Sequence, residues 1–151
     1  MGRLTDILAA AQQRAESAGL PYEGMLAPDE AAEVLNLAPG SRLVDVRSRA
    51  ELELAGTIPG AVHVEWMSYP NWQTNPHFPN QLRQSVDTET LTLFISRNGH
   101  RSHLAAEAAT LAGYRDSYNV QEGFEGDINS ATRHRGEING WKARGLPWIQ
   151  K

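Results

Sequence analysis

Apolar residues recur at helical spacing near the start of the chain, at Leu4, Ile7, Leu8, Ala11 and Ala15, and Gly19 stands where such a helix would stop. The pattern predicts an amphipathic helix over Leu4–Ala18. Pro28-Asp29-Glu30 opens a second helix through Leu35, with proline in the first turn and acids placed favourably for the helix dipole, and Pro39-Gly40 marks the turn after it. Arg42 to Arg47 is a short β-prone run with the features of a buried strand. A helix-like piece from Arg49 to Leu54 leads to a turn at Gly56 to Gly60, and Ala61–Glu65 reads as another strand. Leu91–Ile95 is a third strand, followed by a compact loop, an Ala-rich helix over Ser102–Ala112 and a fourth strand over Ser117–Val120. Short strands alternating with helices indicate an α/β fold around a mainly parallel sheet. Two segments fit no regular element: 65–81, with Trp66, Tyr69, Trp72 and Phe78 among three prolines, and the polar stretch 127–140, with Arg133, His134 and Arg135.

Composition narrows the function class. A chain of 151 residues, 40% hydrophobic and 21% charged, suits one soluble domain of ordinary size. Fourteen Lys+Arg against eighteen Asp+Glu leave a net charge of −4, which argues against a nucleic-acid binder. No stretch approaches the roughly 18 apolar residues of a membrane span, so no membrane is expected as a partner. The first residues lack the basic start and apolar run of a signal peptide, so a cytoplasmic location is expected. The chain has no cysteine, which excludes disulfides, Cys-type zinc sites and thiol nucleophiles. His100 and His103 sit three apart without a third ligand at suitable spacing, so no metal site is expected.

The strand–loop–helix junction over 91–112 carries the candidate chemistry. In an open parallel sheet, ligands bind beyond the carboxyl ends of the strands. The N–H groups at a helix start are unsatisfied and can hold an anion. Gly99 relieves steric limits where the loop curls, and Arg97 and Arg101 add positive charge, making an anion cradle with Ser96 at its base. On these residues alone, a polar turn with solvated arginines remains an equal alternative.

Several ordered motifs together resemble the rhodanese (sulfurtransferase) family. Leu43-Val44-Asp45-Val46-Arg47, followed by Glu51, is similar to its first core strand with the Asp-x-Arg signature. Gly56-Thr57-Ile58-Pro59-Gly60-Ala61 is similar to its Gly-His-Ile-Pro-Gly-Ala turn, with Thr57 replacing the usual His. Ser96-Arg97-Asn98-Gly99-His100-Arg101-Ser102 is similar to its active-site loop, usually Cys-Arg-x-Gly-x-Arg-Ser. Tyr118 to Phe124 and Trp141 to Pro147 resemble its C-terminal blocks, so the likeness runs from about Met25 to Trp148. It implies a three-layer α/β/α domain with a mainly parallel five-stranded sheet over 22–151, preceded by a helical extension over 1–21.

The same resemblance implies a reaction that this chain lacks the atom to perform. The family's cysteine takes a sulfane sulfur from thiosulfate or polysulfide as a persulfide and passes it to a thiol or cyanide, with no cofactor. The loop amides would lower the thiol pKa from about 8.5 and stabilise the persulfide anion. An alcohol is a far weaker acid and cannot carry a persulfide, so the Ser96 form is expected to be inactive. Two readings follow: a sulfurtransferase whose nucleophile position holds Ser96, by engineering or natural loss, or a non-catalytic module binding an anion or a protein. A serine nucleophile would need an adjacent base. A phosphatase is disfavoured, because its loop resembles Cys-x5-Arg whereas four residues separate Ser96 from Arg101. In the family pattern Asp45 and Arg47 fix the loop through charge-assisted hydrogen bonds, and a structural ion pair is the more economical role for them. A protein partner, if any, is expected at the 65–81 and 127–140 loops, although an aromatic satellite core is the simpler use of the tryptophans.

Overall fold

The computed structural model describes residues 2–150, so Met1 and Lys151, at the ends of the two predicted segments, lie outside it. Helix α1 (Arg3–Ala18) ends as the pattern predicts, at Gly19 with φ 65°, a left-handed cap that costs glycine little. Strand β1 (Gly24–Leu26), helix α2 (Pro28–Leu37), strand β2 (Arg42–Asp45), helix α3 (Arg49–Ala55) and strand β3 (Val62–His63) follow. Then come strands β4 (Met67–Ser68) and β5 (Gln73–Thr74), helix α4 (Phe78–Ser85), strand β6 (Thr92–Ile95), helix α5 (His100–Leu111) and strand β7 (Ser117–Val120).

Strands β1, β7, β6, β2 and β3 lie side by side in that order in a five-stranded sheet, and all four pairings are parallel. Alternate residues of each strand feed opposite faces. Leu43, Leu93, Ile95, Tyr118 and Val120 join Ile7 and Ala11 of α1 and Ala31 and Val34 of α2 in one core. Val44, Val46 and Phe94 join Phe78 and Leu82 of α4 and Ala105, Ala106 and Ala109 of α5 in the other. Helices thus cover both faces, and the central strand β6 is buried along its whole length. This is the expected three-layer α/β/α arrangement. No helix among the described residues is long and apolar enough to cross a membrane.

Three local readings change. Strand β1 was not visible in the pattern: its three residues include Gly24, where a Cβ would lie 2.5 Å from the Tyr118 ring. The segment 65–81 is not wholly irregular. It holds the β4–β5 hairpin and the start of α4, whose Pro79 occupies the first turn, where a missing N–H costs nothing. Helix α5 begins at His100 rather than Ser102, because Gly99 at φ 94° turns the chain earlier.

The α1 helix shares the core of the sheet: Ile7 is 3% exposed and Ala11 fully buried. Ile7→Ala is therefore expected to cost about 2–4 kcal/mol by loss of contact and a residual cavity. Urea unfolding would register this as a lower midpoint with an unchanged slope.

Candidate active-site loop

Two neighbouring turns build the loop. The chain leaves β6 at Ser96, curls through Gly99 and enters α5. The turn after β7 packs against it, with Phe124 N–H donating to the Ser96 carbonyl at 2.8 Å and Glu125 and Gly126 N–H donating to the Arg97 carbonyl at 2.9 and 3.1 Å. Gly123 at φ 69° is where the two turns touch, and a Cβ there would lie 2.5 Å from the Ser96 carbonyl oxygen and 2.6 Å from Asn98 N. From the other side, the Asn119 side-chain amide donates to the Gly99 carbonyl at 3.2 Å and to the Tyr22 hydroxyl at 3.3 Å.

Ser96 lies at the base of the loop and is fully buried. Its Oγ accepts the Ser102 N–H at 3.1 Å and lies 3.0 Å from Ser102 Oγ. The His100 N–H is taken by Asn98 Oδ1 at 3.3 Å. For the N–H groups of Arg97 and Asn98 in the loop, and of Gly99 and Arg101 at the start of α5, no acceptor is found among the described residues. Neither nearby histidine serves Ser96. His103 Nδ1 is 2.7 Å from the Tyr22 hydroxyl and the two rings meet edge to face, whereas His100 is exposed. The Ser–His arrangement required of a serine nucleophile is absent from these contacts.

The arginines have separate assignments. Arg47 is fully buried: its Nε and Nη2 donate to Asp45 at 2.6–3.2 Å, Nη2 also reaches the Gly56 carbonyl at 3.0 Å, and the guanidinium lies 4.0 Å from the Phe124 ring centroid. Asp45 and Arg47 thus support the turn that holds Ser96, and neither is hydrogen-bonded to a 96–102 side chain. Arg101 makes a two-pronged pair with Glu51 at 2.7 and 2.8 Å, largely shielded from solvent. Arg97 is only part-buried, and its Nε is buried without a partner.

Glu51 was legible only as part of a motif, yet it has two structural roles. It caps α3, accepting from the Ser48 N–H at 3.0 Å and the Ser48 hydroxyl at 2.9 Å, and it anchors Arg101. The Ser48-x-x-Glu51 spacing signals the cap; nothing in the sequence signals the ion pair across 50 residues. Trp72, at the tip of the β4–β5 hairpin, lies with its ring centroid 5.0 Å from the Arg101 guanidinium. Trp66 instead packs on Phe78, the satellite-core role expected of the segment. Trp141 is buried, whereas Trp148 is part-exposed against Phe124. Segment 127–140 is built of turns and tied down by Arg135, which donates to the Gly126 carbonyl at 2.7 Å. A cleft of about 600 Å³ opens elsewhere, by Thr57, His63 and Ile149, and no loop residue lines it.

Burial alone would raise the Glu51 carboxyl, but the Arg101 guanidinium and the Ser48 donors override it and hold the pKa down at about 2. A carboxyl depressed on folding stabilises the fold fully above its unfolded pKa, about 4.3, and loses that contribution as pH falls toward 2. Glu51→Gln is expected to cost about 3 kcal/mol at pH 7, because it strands the Arg101 charge. Its deficit against the parent should shrink between pH 4 and pH 2, measured by urea unfolding at each pH.

Comparisons with known proteins agree with this geometry. The sequence profile of the Rhodanese-like domain matches residues 27–129. The crystal structure of Rv0390 from M. tuberculosis superposes with a TM-score of 0.79 at 39% identity, covering 86% of this chain and 99% of that one. The uncharacterized protein RP600 homolog of Rickettsia rickettsii is 34% identical over 108 residues, 70% of this chain and 80% of its own length. The polysulfide-sulfur transferase homodimer from Wolinella succinogenes shares the fold, with a TM-score of 0.57 at 21% identity over 95% of this chain and 89% of that one. A match over residues 27–129, most of the chain, shows that the chain belongs to the rhodanese-like domain family.

Proposed function

We propose that this is a sulfurtransferase-type domain whose nucleophile position holds Ser96, so that the chain with serine binds sulfur anions without turning them over. The observation that supports this is the run of N–H groups without an acceptor, those of Arg97, Asn98, Gly99 and Arg101, in the loop that follows the buried Ser96. A thiolate at that position would accept the Ser102 N–H that the serine oxygen now accepts, with the free amides facing incoming charge. Charge would shift from thiolate to persulfide without leaving the cradle. A serine alkoxide would need a base to form, and His103 is engaged with Tyr22. The proposed ligands are thiosulfate or polysulfide, with a thiol as acceptor and no cofactor. Their setting is the cytoplasm, where thiols stay reduced.

The other reading is a module that binds an anion or a protein partner through the loop and the 65–81 and 127–140 segments. Its support is that His103 and Ser102 are both engaged in contacts that leave Ser96 with no activating base.

Ser96→Cys separates the two. The variant is expected to gain a sulfur adduct of about 32 Da on exposure to thiosulfate and to convert cyanide to thiocyanate, while the parent does neither. A folded Ser96→Cys variant that forms no adduct and produces no thiocyanate would overturn the sulfurtransferase reading.

A further inference from the structure

The chain holds two Asn-Gly pairs, Asn98-Gly99 and Asn139-Gly140, which the sequence alone does not rank. Their surroundings differ. Asn98 and Gly99 are both part-exposed, and a Cβ on Gly99 would meet its nearest neighbour, Glu122 N, at an ordinary 3.4 Å. Asn98 Oδ1 accepts the His100 N–H at 3.3 Å, so the side chain folds back along the main chain across Gly99. The Gly99 N–H itself has no acceptor among the described residues. Asn139, by contrast, is tied at both ends. Its Oδ1 accepts the Asp127 N–H at 2.8 Å, its Nδ2 donates to Asp127 Oδ2 at 3.0 Å, and the Gly140 N–H donates to Glu122 Oε1 at 2.9 Å. Gly140 is buried, and a Cβ there would lie 2.6 Å from Gly126 N.

An asparagine followed by glycine can cyclise, because glycine has no side chain to obstruct attack of its own nitrogen on the asparagine Cγ. The attack needs a deprotonated nitrogen and a polarised side-chain carbonyl. At 98–99 both are favoured. The nitrogen anion would form at the start of α5, where unsatisfied amides and the neighbouring Arg97 carry positive charge. The His100 N–H already donates to Oδ1, the atom on which negative charge develops as the nitrogen attacks. At 139–140 both are opposed. The Gly140 N–H faces a carboxylate, which resists loss of its proton, and Asp127 holds the Asn139 side chain by its oxygen and its nitrogen.

We infer that Asn98-Gly99 is a self-modifying site: in the folded chain Asn98 converts to aspartate and isoaspartate while Asn139 is protected, and the charge gained turns the loop against anions. The Gly99 nitrogen gives its proton to solvent and bonds to Asn98 Cγ. The Cγ–Nδ2 bond then breaks, and ammonia leaves with a proton returned from solvent, closing a five-membered succinimide. Water opens that ring at the side-chain carbonyl to give aspartate, or at the main-chain carbonyl to give isoaspartate. One asparagine and one water yield one acidic residue and one ammonia, with no oxidant or reductant. Either product places a carboxylate next to Arg97, among the N–H groups that lack acceptors. The silencing rests on the reading of the loop as an anion cradle, whereas the conversion rests on the geometry of the two pairs.

Ageing the purified full chain in neutral buffer, followed by peptide mapping in a mass spectrometer, reads the conversion as a gain of about 1 Da. In the folded chain Asn98 is expected to convert about tenfold faster than Asn139; in urea, where the surroundings that separate them are lost, the two should convert at similar rates. Similar rates in the folded chain, faster conversion at Asn139, or an Asn98 that converts only in urea would overturn the inference. The consequence is read by titrating thiosulfate calorimetrically into the fresh chain, the converted chain separated by its added charge, and Asn98→Asp. Binding about tenfold weaker is expected for the last two. Asn98→Gln, whose longer side chain does not close the five-membered ring, should bind equally before and after ageing. A converted chain that binds as tightly as the fresh one would overturn the silencing. A fresh chain that binds no thiosulfate while Asn98 converts as expected would overturn the cradle reading and leave the modification site standing.

Discussion

Backbone amides at the start of a helix have no carbonyl to receive them, and at the junction of β6 and α5 that deficit falls next to the buried Ser96. Ser96 absorbs part of it by accepting the Ser102 N–H, and Asn98 absorbs another part by accepting from His100. What is left over lies on the residues that directly follow Ser96. The loop keeps this arrangement because its carbonyls are engaged from behind: those of Ser96 and Arg97 by the turn after β7, and that of Gly99 by Asn119. Gly123 permits this, since any side chain there would collide with the loop it supports.

Positive charge is distributed by burial. Arg47, with no exposure, is paired by Asp45 and the Gly56 carbonyl and lies over the face of Phe124, while its Nη1 is buried without a partner. Phe124 is the same residue whose N–H holds the Ser96 carbonyl, so the buried pair and the loop share one support. Arg101 joins α5 to the capped end of α3 through Glu51. Arg97 alone combines partial exposure with an unpartnered nitrogen. Three arginines that look alike in a motif therefore differ in what they can offer an external anion.

Much of the architecture was legible because burial imposes pattern. Leu91–Ile95 reads as a strand since parallel strands covered on both faces are nearly continuously apolar, Arg42–Arg47 reads as one through its β-prone Leu43, Val44 and Val46, and Gly19 announced the end of α1 through its backbone freedom. Strand β1 was not legible, because three residues containing a glycine have no period to detect. Helix α4 was hidden by prolines that suggest a loop, although one of them sits where a helix tolerates it. In the site, the loop residues and Asp45–Arg47 stood out by motif, but their partners did not. The contacts of Tyr22 with Asn119 and His103, and of Arg101 with Glu51 and Trp72, join segments tens of residues apart. Local sequence carries no trace of such pairings.

The persistence of the loop motif around a missing nucleophile has a folding explanation. Gly99 is required at φ 94° to start α5, Arg101 is required by Glu51, and Ser102 lies against the residue at the base. Substituting any of them would disturb helix starts, an ion pair and the packing between β6 and α5, whatever the loop binds. Position 96 is different. Its side chain touches Ser102 alone among these contacts, and an oxygen or a sulfur can each accept that N–H. The chemistry of the site can therefore change at residue 96 with little demand on the fold. An intact motif reports on folding, and under the proposed function the identity of one buried atom decides between a sulfur carrier and a binding cradle.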